Sequence, residues 1–302
     1  MCKIVAIDVG GTAIKAGLWN GTELTLCQEW DTQALLGGQH LMNRVIQIIR
    51  TYSDYDAIGI STAGEVNTSD GSIIYANNNI PDYIGMQVRS ILEGEFCVPV
   101  VVENDVNSAA LGELSRGAGK GCKDFLCLTY GTGVGGCIII NGKVYSGSNY
   151  AAGSFGGIVI HPELRIGNSS LEGCYERCAS TTALVQRVRM IDHTLSDGRK
   201  IFKAIHRIEI KEQIDAWIDD ICTGLVTLVS IFNPERIILG GGVMAQDYVI
   251  CEIRKKVRNQ LSPTLANVEI VQAVLGNKAG MMGAVYLADK LCTSQINNYY
   301  IQ

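Results

Sequence analysis

Residues Val100–Glu113 read VVVENDVNSAALGE. The three consecutive valines predict a buried strand. The alanine- and leucine-rich run from Val106, closed by Glu113, predicts a helix. Asp105 therefore sits at a strand-to-helix junction. Open α/β sheets bind ligands in the crevice at the carboxyl ends of their strands. A carboxylate placed there can accept a proton from a bound hydroxyl. An aspartate at such a junction can instead cap the free N–H groups of the helix. This stretch alone leaves both roles open.

Upstream, Lys3–Asp8 (KIVAID) predicts an apolar strand ending on an acid. Gly10, Gly11 and Thr12 turn the chain sharply. Ala13–Trp19 returns as a second strand and Glu23–Glu29 follows as a third. This is a glycine-tipped hairpin. A Rossmann fingerprint or P-loop would need a helix after the glycines. The bare N–H groups of such a tip can hold an anion. Thr12 adds a hydroxyl and Lys15 a positive charge, and Asp8 could hold a magnesium ion through water. A plain β-turn uses the same glycines. Leu35–Tyr52 has helical spacing, Ala57–Ser61 predicts a strand, and the loop Thr62–Glu65 follows with Gly64 inside it. After the short strand Ser72–Ala76, the amide-rich loop containing Asn79 suits sugar hydroxyls, although such runs are also ordinary turns. Ile84–Leu92 predicts a helix.

The opening device recurs about 120 residues later. Phe125–Thr129 predicts a strand, Gly131-Thr132-Gly133-Val134-Gly135-Gly136 a second glycine turn, and Cys137–Ile140 the return strand. Two similar halves with donor-rich tips could hold one polyphosphate between them. Further on, Ser180–Arg189, Ile201–Ile208 and Ile210–Phe232 predict helices. The last carries Trp217, Ile221, Leu225 and Leu228 on one face, which could serve as core or dimer surface. Arg236–Leu239 predicts a strand, and Gly240, Gly241 and Gly242 lead into the next helix. Backbone without side chains can lie against an adenine ring there, or pack helix on strand. Val268–Val271 predicts a strand and Ala279–Leu291 a closing helix.

The bulk properties fit a folded globular protein. The chain has 302 residues, enough for two domains or one large one, and 47% hydrophobic content can fill a sizeable core. Glycine makes up 34 of 302 residues, above the usual ~7%. A net charge of -5 argues against a nucleic-acid surface. The chain is too long and core-rich to need its eleven cysteines as a disulfide scaffold. Cys2, Cys127 and Cys137 lie in apolar strand patterns, where free cysteine behaves as a small hydrophobe. With no basic-then-apolar leader and no apolar run of about 18 residues, the expectation is a reduced, soluble, cytoplasmic protein with no membrane partner.

In order, these pieces resemble the ROK family of sugar kinases and repressors, within the actin/hexokinase-like (ribonuclease H-like) ATPase fold. The resemblance runs over nearly the whole chain. It is carried by DVGGTAIK at Asp8–Lys15, ENDVN at Glu103–Asn107, GTGVGG at Gly131–Gly136, GCYE at Gly173–Glu176 and PERIILGGGV at Pro234–Val243. It implies an α/β protein with mixed sheets flanked by helices and a cleft between two domains. These would be a small domain over 1–117, joined by the returning residues 290–302, and a larger one over 118–289. It implies ATP, Mg2+ and a small-molecule sugar, with O6 of a hexose, amino sugar or glycoside as the acceptor. By position, Asp105 is similar to the family's base. Gly64, Asn79, Asn104 and Glu176 fall where the family grips the other hydroxyls. Gly10, Gly11, Thr12 and Lys15, with Gly131, Thr132 and Gly133, fall on the ATP phosphates. Gly240, Gly241 and Gly242 fall on adenosine, and Asp8 near the magnesium.

Two departures stand out. The family's A-G-E-x-G-H segment reads Ala152-Gly153-Ser154-Phe155-Gly156-Gly157 here, so Ser154 replaces a sugar-gripping glutamate and Gly157 a histidine. The family's zinc site joins that histidine to cysteines spaced C-x-C-x4-C, whose first two positions are Gly167 and Ser169 here, leaving Cys174. A structural zinc needs about four protein ligands, so no zinc is expected, and His161 is a poor substitute. Cys174 and Cys178 are expected to be buried core. A sugar hydroxyl deprived of its polar partner weakens binding by ~1–3 kcal/mol, which points to a sugar other than plain glucose. A repressor of the same family would carry a DNA-binding segment before the first phosphate motif, and here that motif begins at residue 8. A catalytically weak sugar- or nucleotide-binding protein with a degenerate site is the remaining alternative, and a homodimer is compatible with all of these readings.

Overall fold

The structure is a computed structural model. It describes residues 2–77, 79–165 and 171–299, the last six by backbone alone. Gly167 and Ser169 lie outside the described residues. The chain divides into two compact units. One comprises Met1–Lys120, Ser146–Ala152 and Asn277–Gln302, and the other Gly121–Tyr145 and Gly153–Gly276.

The first unit is built on strands β1 (Ile4–Val9), β2 (Ala13–Trp19), β3 (Leu24–Asp31), β4 (Ala57–Thr62) and β7 (Val100–Asn104), in the order β3-β2-β1-β4-β7. β1 and β2 form the antiparallel glycine hairpin, and β1, β4 and β7 run parallel. β4 is buried at every position, as a parallel strand covered on both faces must be. A small ribbon pairs β5 (Glu65–Asn67) with β6 (Ser72–Tyr75). Helix α1 (Gly38–Ile49) buries Leu41, Val45, Ile48 and Ile49. It starts later than the spacing predicts. Gly37, at φ 87°, separates it from a 3-10 turn at Ala34–Leu36, which leaves Leu35 and Leu36 exposed. Helix α2 (Val88–Phe96) is likewise displaced from the expected Ile84–Leu92, because the turn at Gly85 (φ 85°) precedes it. Helix α3 (Asp105–Arg116) follows β7 directly.

The second unit repeats this plan. Strands β8 (Phe125–Tyr130), β9 (Val134–Ile140), β10 (Lys143–Val144), β11 (Arg236–Gly240) and β12 (Glu269–Gln272) are ordered β10-β9-β8-β11-β12. β8 and β9 are the antiparallel glycine hairpin, and β8, β11 and β12 run parallel. The expected duplication thus extends to strand order and direction. Around the sheet stand α4 (Tyr175–Ala179), α5 (Thr181–Arg189), α6 (Gly198–Lys203), α7 (Ile208–Phe232) and α8 (Asp247–Gln260). α6 precedes the expected Ile201–Ile208 because Asp197 caps it, accepting from Lys200 N at 3.0 Å. The apolar face of α7, Trp217, Ile221, Leu225 and Leu228 included, is buried. Trp217 donates its indole N–H to Ala179 O at 2.9 Å, so this face is core. Asn233, at φ 44°, ends the helix before Pro234.

α9 (Ala279–Tyr299) returns to the first unit. Its small residues let backbones touch. A Cβ on Gly283 would land on Ser108 O, one on Gly112 would land on Ala279 O, and one on Gly59 would sit 2.5 Å from Ala284 O. Added atoms in such contacts cost about 1–3 kcal/mol or more. The packing of α9 fixes α3, whose first residue is Asp105. Among the described residues no helix is long and apolar enough to cross a membrane. Cys127, Cys137, Cys174 and Cys178 are buried. Cys2 differs from expectation. It is disulfide-bonded to Cys292, because folding brings the start of the chain beside α9, with the two Cα atoms 6.7 Å apart.

Candidate active site

The carboxyl ends of the parallel strands in the first unit gather three acids. Strand register places Asp8 beside Ser61, and Ser61 beside Glu103. Ser61 Oγ donates to Asp8 Oδ1 at 2.7 Å. Lys15, the cross-strand neighbour of Asp8, holds Nζ 3.9 Å from Oδ2. Burial pushes the Asp8 carboxyl above its usual range, against the pull of Ser61 and Lys15.

The two readings of the ENDVN junction divide between neighbours. Asn104 is the helix cap, its Oδ1 accepting from Val106 N at 2.9 Å and Asn107 N at 3.1 Å. Its Nδ2 donates to Gly64 O at 2.8 Å and to Asp105 Oδ1 at 2.9 Å. Gly64 adopts φ 99°, and a Cβ there would be 2.7 Å from Tyr75 O. Val106 N also donates to Asp105 Oδ1. Oδ2 of Asp105 takes no hydrogen bond from the described residues. Burial, then the charge of Asp8, push the Asp105 carboxyl up to about 6, against the bonds from Val106 and Asn104. A base poised near neutrality suits proton abstraction.

The first glycine turn is closed by Gly10 N donating to Ala13 O at 2.9 Å, and Gly11 and Thr12 are exposed. Both line one pocket with Asn79. The second turn is closed by Gly131 N donating to Gly133 O at 3.0 Å. Gly131 and Thr132 line a cavity of about 1030 Å³ together with Gly242, Val243 and Gln246. That volume suits a ligand larger than a simple sugar. Gly241, at φ 103°, has no room for a Cβ, which would land on Tyr130 O, and Gly240 lies close above Thr129. The run Gly240–Gly242 enters a 3-10 turn at Gly242–Ala245 before α8 begins. Glu176 braces the second turn. Its Oε2 accepts from Val134 N at 3.1 Å, and a Cβ on Gly133 would land on that oxygen. Ser154 is exposed, at the start of the 3-10 turn Phe155–Gly157.

The model of the ROK family matches residues 4–291. The chain belongs to the ROK family. A beta-glucoside kinase of Listeria monocytogenes is 34% identical over 293 residues, which cover 94% of this chain and 96% of the relative. The crystal structure of a ROK family glucokinase from Streptomyces griseus, in complex with glucose and AMPPNP, matches with a TM-score of 0.81 at 29% identity, over 95% of this chain and 99% of that one. A ROK hexokinase from Thermus thermophilus matches with a TM-score of 0.81 at 28% identity, over 97% and 99% of the two chains. The ROK chain therefore has the actin/hexokinase-like fold, mixed sheets flanked by helices.

The residues of this ROK chain fit a zinc ion poorly. Gly157 offers no ligand, and Cys174 and Cys178 are buried on and beside α4. Among the described residues, His161, Cys178 and Asp220 bring three ligand atoms within 4.8 Å of one another. Two of the three, His161 and Asp220, are already engaged. His161 Nε2 bonds Asp220 Oδ1 and Nδ1 bonds Glu163 Oε1, both at 2.7 Å. Arg187 bonds Asp220 Oδ2 and the Cys178 carbonyl, placing a positive charge beside the cluster. The Asp220 bond raises the His161 pKa, which favours an imidazolium. Elemental analysis of the purified protein is expected to find no stoichiometric zinc. One tightly held zinc per chain would contradict this.

Three residues near Asp8 and Asp105 escape a sequence reading. Ser61 holds Asp8 from 53 residues away. Glu103, buried, orients the cap, its Oε1 accepting from Asn104 N at 2.9 Å and Asn107 Nδ2 at 3.0 Å. Its i,i+4 spacing to Asn107 is the one local signal. Gly280 gives Asp8 its room, since a Cβ there would be 2.5 Å from Asp8 Oδ1 and 2.9 Å from Ser61 Oγ.

Proposed function

We propose that this chain is an ATP-dependent sugar kinase that transfers the γ-phosphate of ATP to a hydroxyl of a hexose, amino sugar or glycoside, with O6 the expected acceptor. The observation that carries the reading is Asp105, raised towards neutrality with Oδ2 free of bonds from the described residues, at the strand ends beside Asp8. In this reading Asp105 Oδ2 takes the proton as the alcohol oxygen attacks the γ-phosphorus and ADP departs. The N–H groups of Gly11 and Gly133, with Thr12, Thr132 and Lys15, hold phosphate oxygens, while Gly10 and Gly131 spend their own N–H groups on closing the two turns. The Gly240–Gly242 backbone supports adenosine. Asp8 would hold magnesium through water, and the ion would neutralise phosphate charge. A carboxylate pushed up by burial, beside a second one, fits a cation. Asn79, Gly64 and Glu176 would orient the sugar, with Asn104 acting on it through Asp105. Asn104 spends its amide on the cap and on Gly64 O, so in this reading its part is to fix Asp105.

Ser154 and Gly157 remove a carboxylate and an imidazole from the sugar loop, so plain glucose should not be the preferred substrate. The names of the relatives, a beta-glucoside kinase and glucose-phosphorylating enzymes, support the class. An ADP-release assay over hexoses, N-acylated hexosamines and glycosides tests this. Turnover should be highest on a substrate other than glucose, and glucose as the best substrate with a low KM would contradict the specificity. No turnover on the whole panel would favour the competing reading of a catalytically weak binding protein, which the Ser154 and Gly157 positions support. The same reading makes the chain a cytoplasmic enzyme that binds no nucleic acid. A homodimer would need a surface other than the apolar face of α7, which is filled within its unit.

A further inference from the structure

The first unit holds an apolar shelf that the phosphoryl-transfer reading leaves unused. A pocket of about 530 Å³ is lined by Gly11, Thr12, Asn79, Ala34, Leu35 and Leu36. Leu35 is 81% exposed and Leu36 63%. Single exposed leucines are ordinary, whereas adjacent ones on the wall of a pocket mark a binding surface more often.

The shelf is built, not slack. Thr32 N donates to Thr12 O at 3.0 Å, and Thr32 Oγ1 donates to Gly10 O at 2.7 Å. These bonds tie the segment to the glycine turn. At the other end Gly38 N donates to Pro81 O at 2.7 Å, and a Cβ on Gly38 would be 2.6 Å from Asp82 O. That close approach ties the segment to the loop carrying Asn79. Arg44 Nη2 donates to Asp31 O at 2.8 Å, and His40 Nε2 and Gln33 Oε1 are bonded at 2.9 Å. The turn is thus held by polar bonds while its leucines face outward. Burying a large apolar side chain is favourable, and here that gain is left for something that binds.

We propose that Ala34, Leu35 and Leu36 receive the apolar aglycone of a glycoside whose sugar ring is held at Asn79. The proposal rests on the sugar-kinase reading for the position of the ring, and it names the substrate class within it. Glucose would leave the shelf empty. An aryl glucoside would cover it, consistent with a sugar loop that lacks two polar grips at Ser154 and Gly157.

The test compares phenyl glucoside, methyl glucoside and glucose with the wild-type chain and the double variant Leu35→Ser, Leu36→Ser. Binding is read by calorimetry and turnover by ADP release. Burial of a phenyl ring should give the wild type at least about tenfold tighter binding and lower KM for phenyl than for methyl glucoside. The double variant should erase most of that difference while KM and kcat for glucose and methyl glucoside change less than about twofold. The leucines are exposed, so the variant should fold. Equal binding of phenyl and methyl glucoside by the wild type would overturn the proposal. So would a variant that keeps the phenyl preference, or one that weakens all three sugars alike. Leucine-dependent binding of phenyl glucoside with no turnover on any sugar would sink the kinase reading and support the shelf.

Discussion

Asp105→Asn should lower sugar phosphorylation by about 10²–10⁴-fold and, at neutral pH, make the protein more stable. The activity loss follows from removing the proton acceptor while keeping its shape. An asparagine Oδ1 can still accept from Val106 N and Asn104 Nδ2, as the carboxylate does. The stability gain follows from the direction of the pKa shift. Folding raises this carboxyl from 3.8 to about 6, chiefly through burial. The unfolded chain gives up the proton at lower pH than the folded chain, so ionising Asp105 costs the native state. Its contribution to stability is fully present below about pH 4 and is lost as pH rises through about 6. At pH 8 the variant should therefore be more stable by about 1–3 kcal/mol, and at pH 4 the difference should vanish. Urea unfolding at the two pH values measures this, and wild-type kcat/KM should fall on the acid side of about pH 6. Retained turnover would remove Asp105 from the mechanism. Lower stability at pH 8 would mean its ionised form is a structural anchor.

Gly133→Val should weaken ATP binding by about tenfold to a hundredfold, the equivalent of the 1–3 kcal/mol that forced overpacking costs. Two parts of the site would be affected together. A Cβ at residue 133 lands on Glu176 Oε2, which accepts from Val134 N. The valine must displace either the turn proposed for the phosphates or the carboxylate proposed for the sugar. Calorimetry with a non-hydrolysable ATP analogue should show the loss, and KM for the sugar should rise with it. Unchanged nucleotide affinity in a folded variant would take this turn out of the phosphate cradle.

What is legible in the sequence is local. Period-two apolar runs with glycine turns identify both hairpins, and the strand-to-helix switch at Glu103–Asp105 locates the junction, because pairing across a tight turn and capping act within a few residues. The register that sets Ser61 against Asp8 spans 53 residues, and no pattern in either segment reports it. The bond between His161 and Asp220 spans 59 residues. The close approach of Gly280 to Asp8 depends on how α9 packs, a property of two elements jointly. The start of α1 is misplaced for a nearer reason. The apolar spacing through Leu35 and Leu36 looks helical, but Gly37 takes a positive φ, and turn chemistry overrides the period. The aspartate at residue 105 is open between cap and base in the sequence because both roles favour the same position. The neighbouring Asn104 takes the cap, and that can be seen only with the side chains placed.

The most direct test is a ³¹P NMR spectrum of the purified chain with ATP, magnesium and the best sugar of the panel. A new phosphomonoester resonance should grow in step with ADP, coupled to the protons of the sugar's C6, and at least about a hundredfold more slowly with Asp105→Asn. ADP appearing only with inorganic phosphate, or a phosphomonoester formed equally well by the Asp105→Asn variant, would contradict the account.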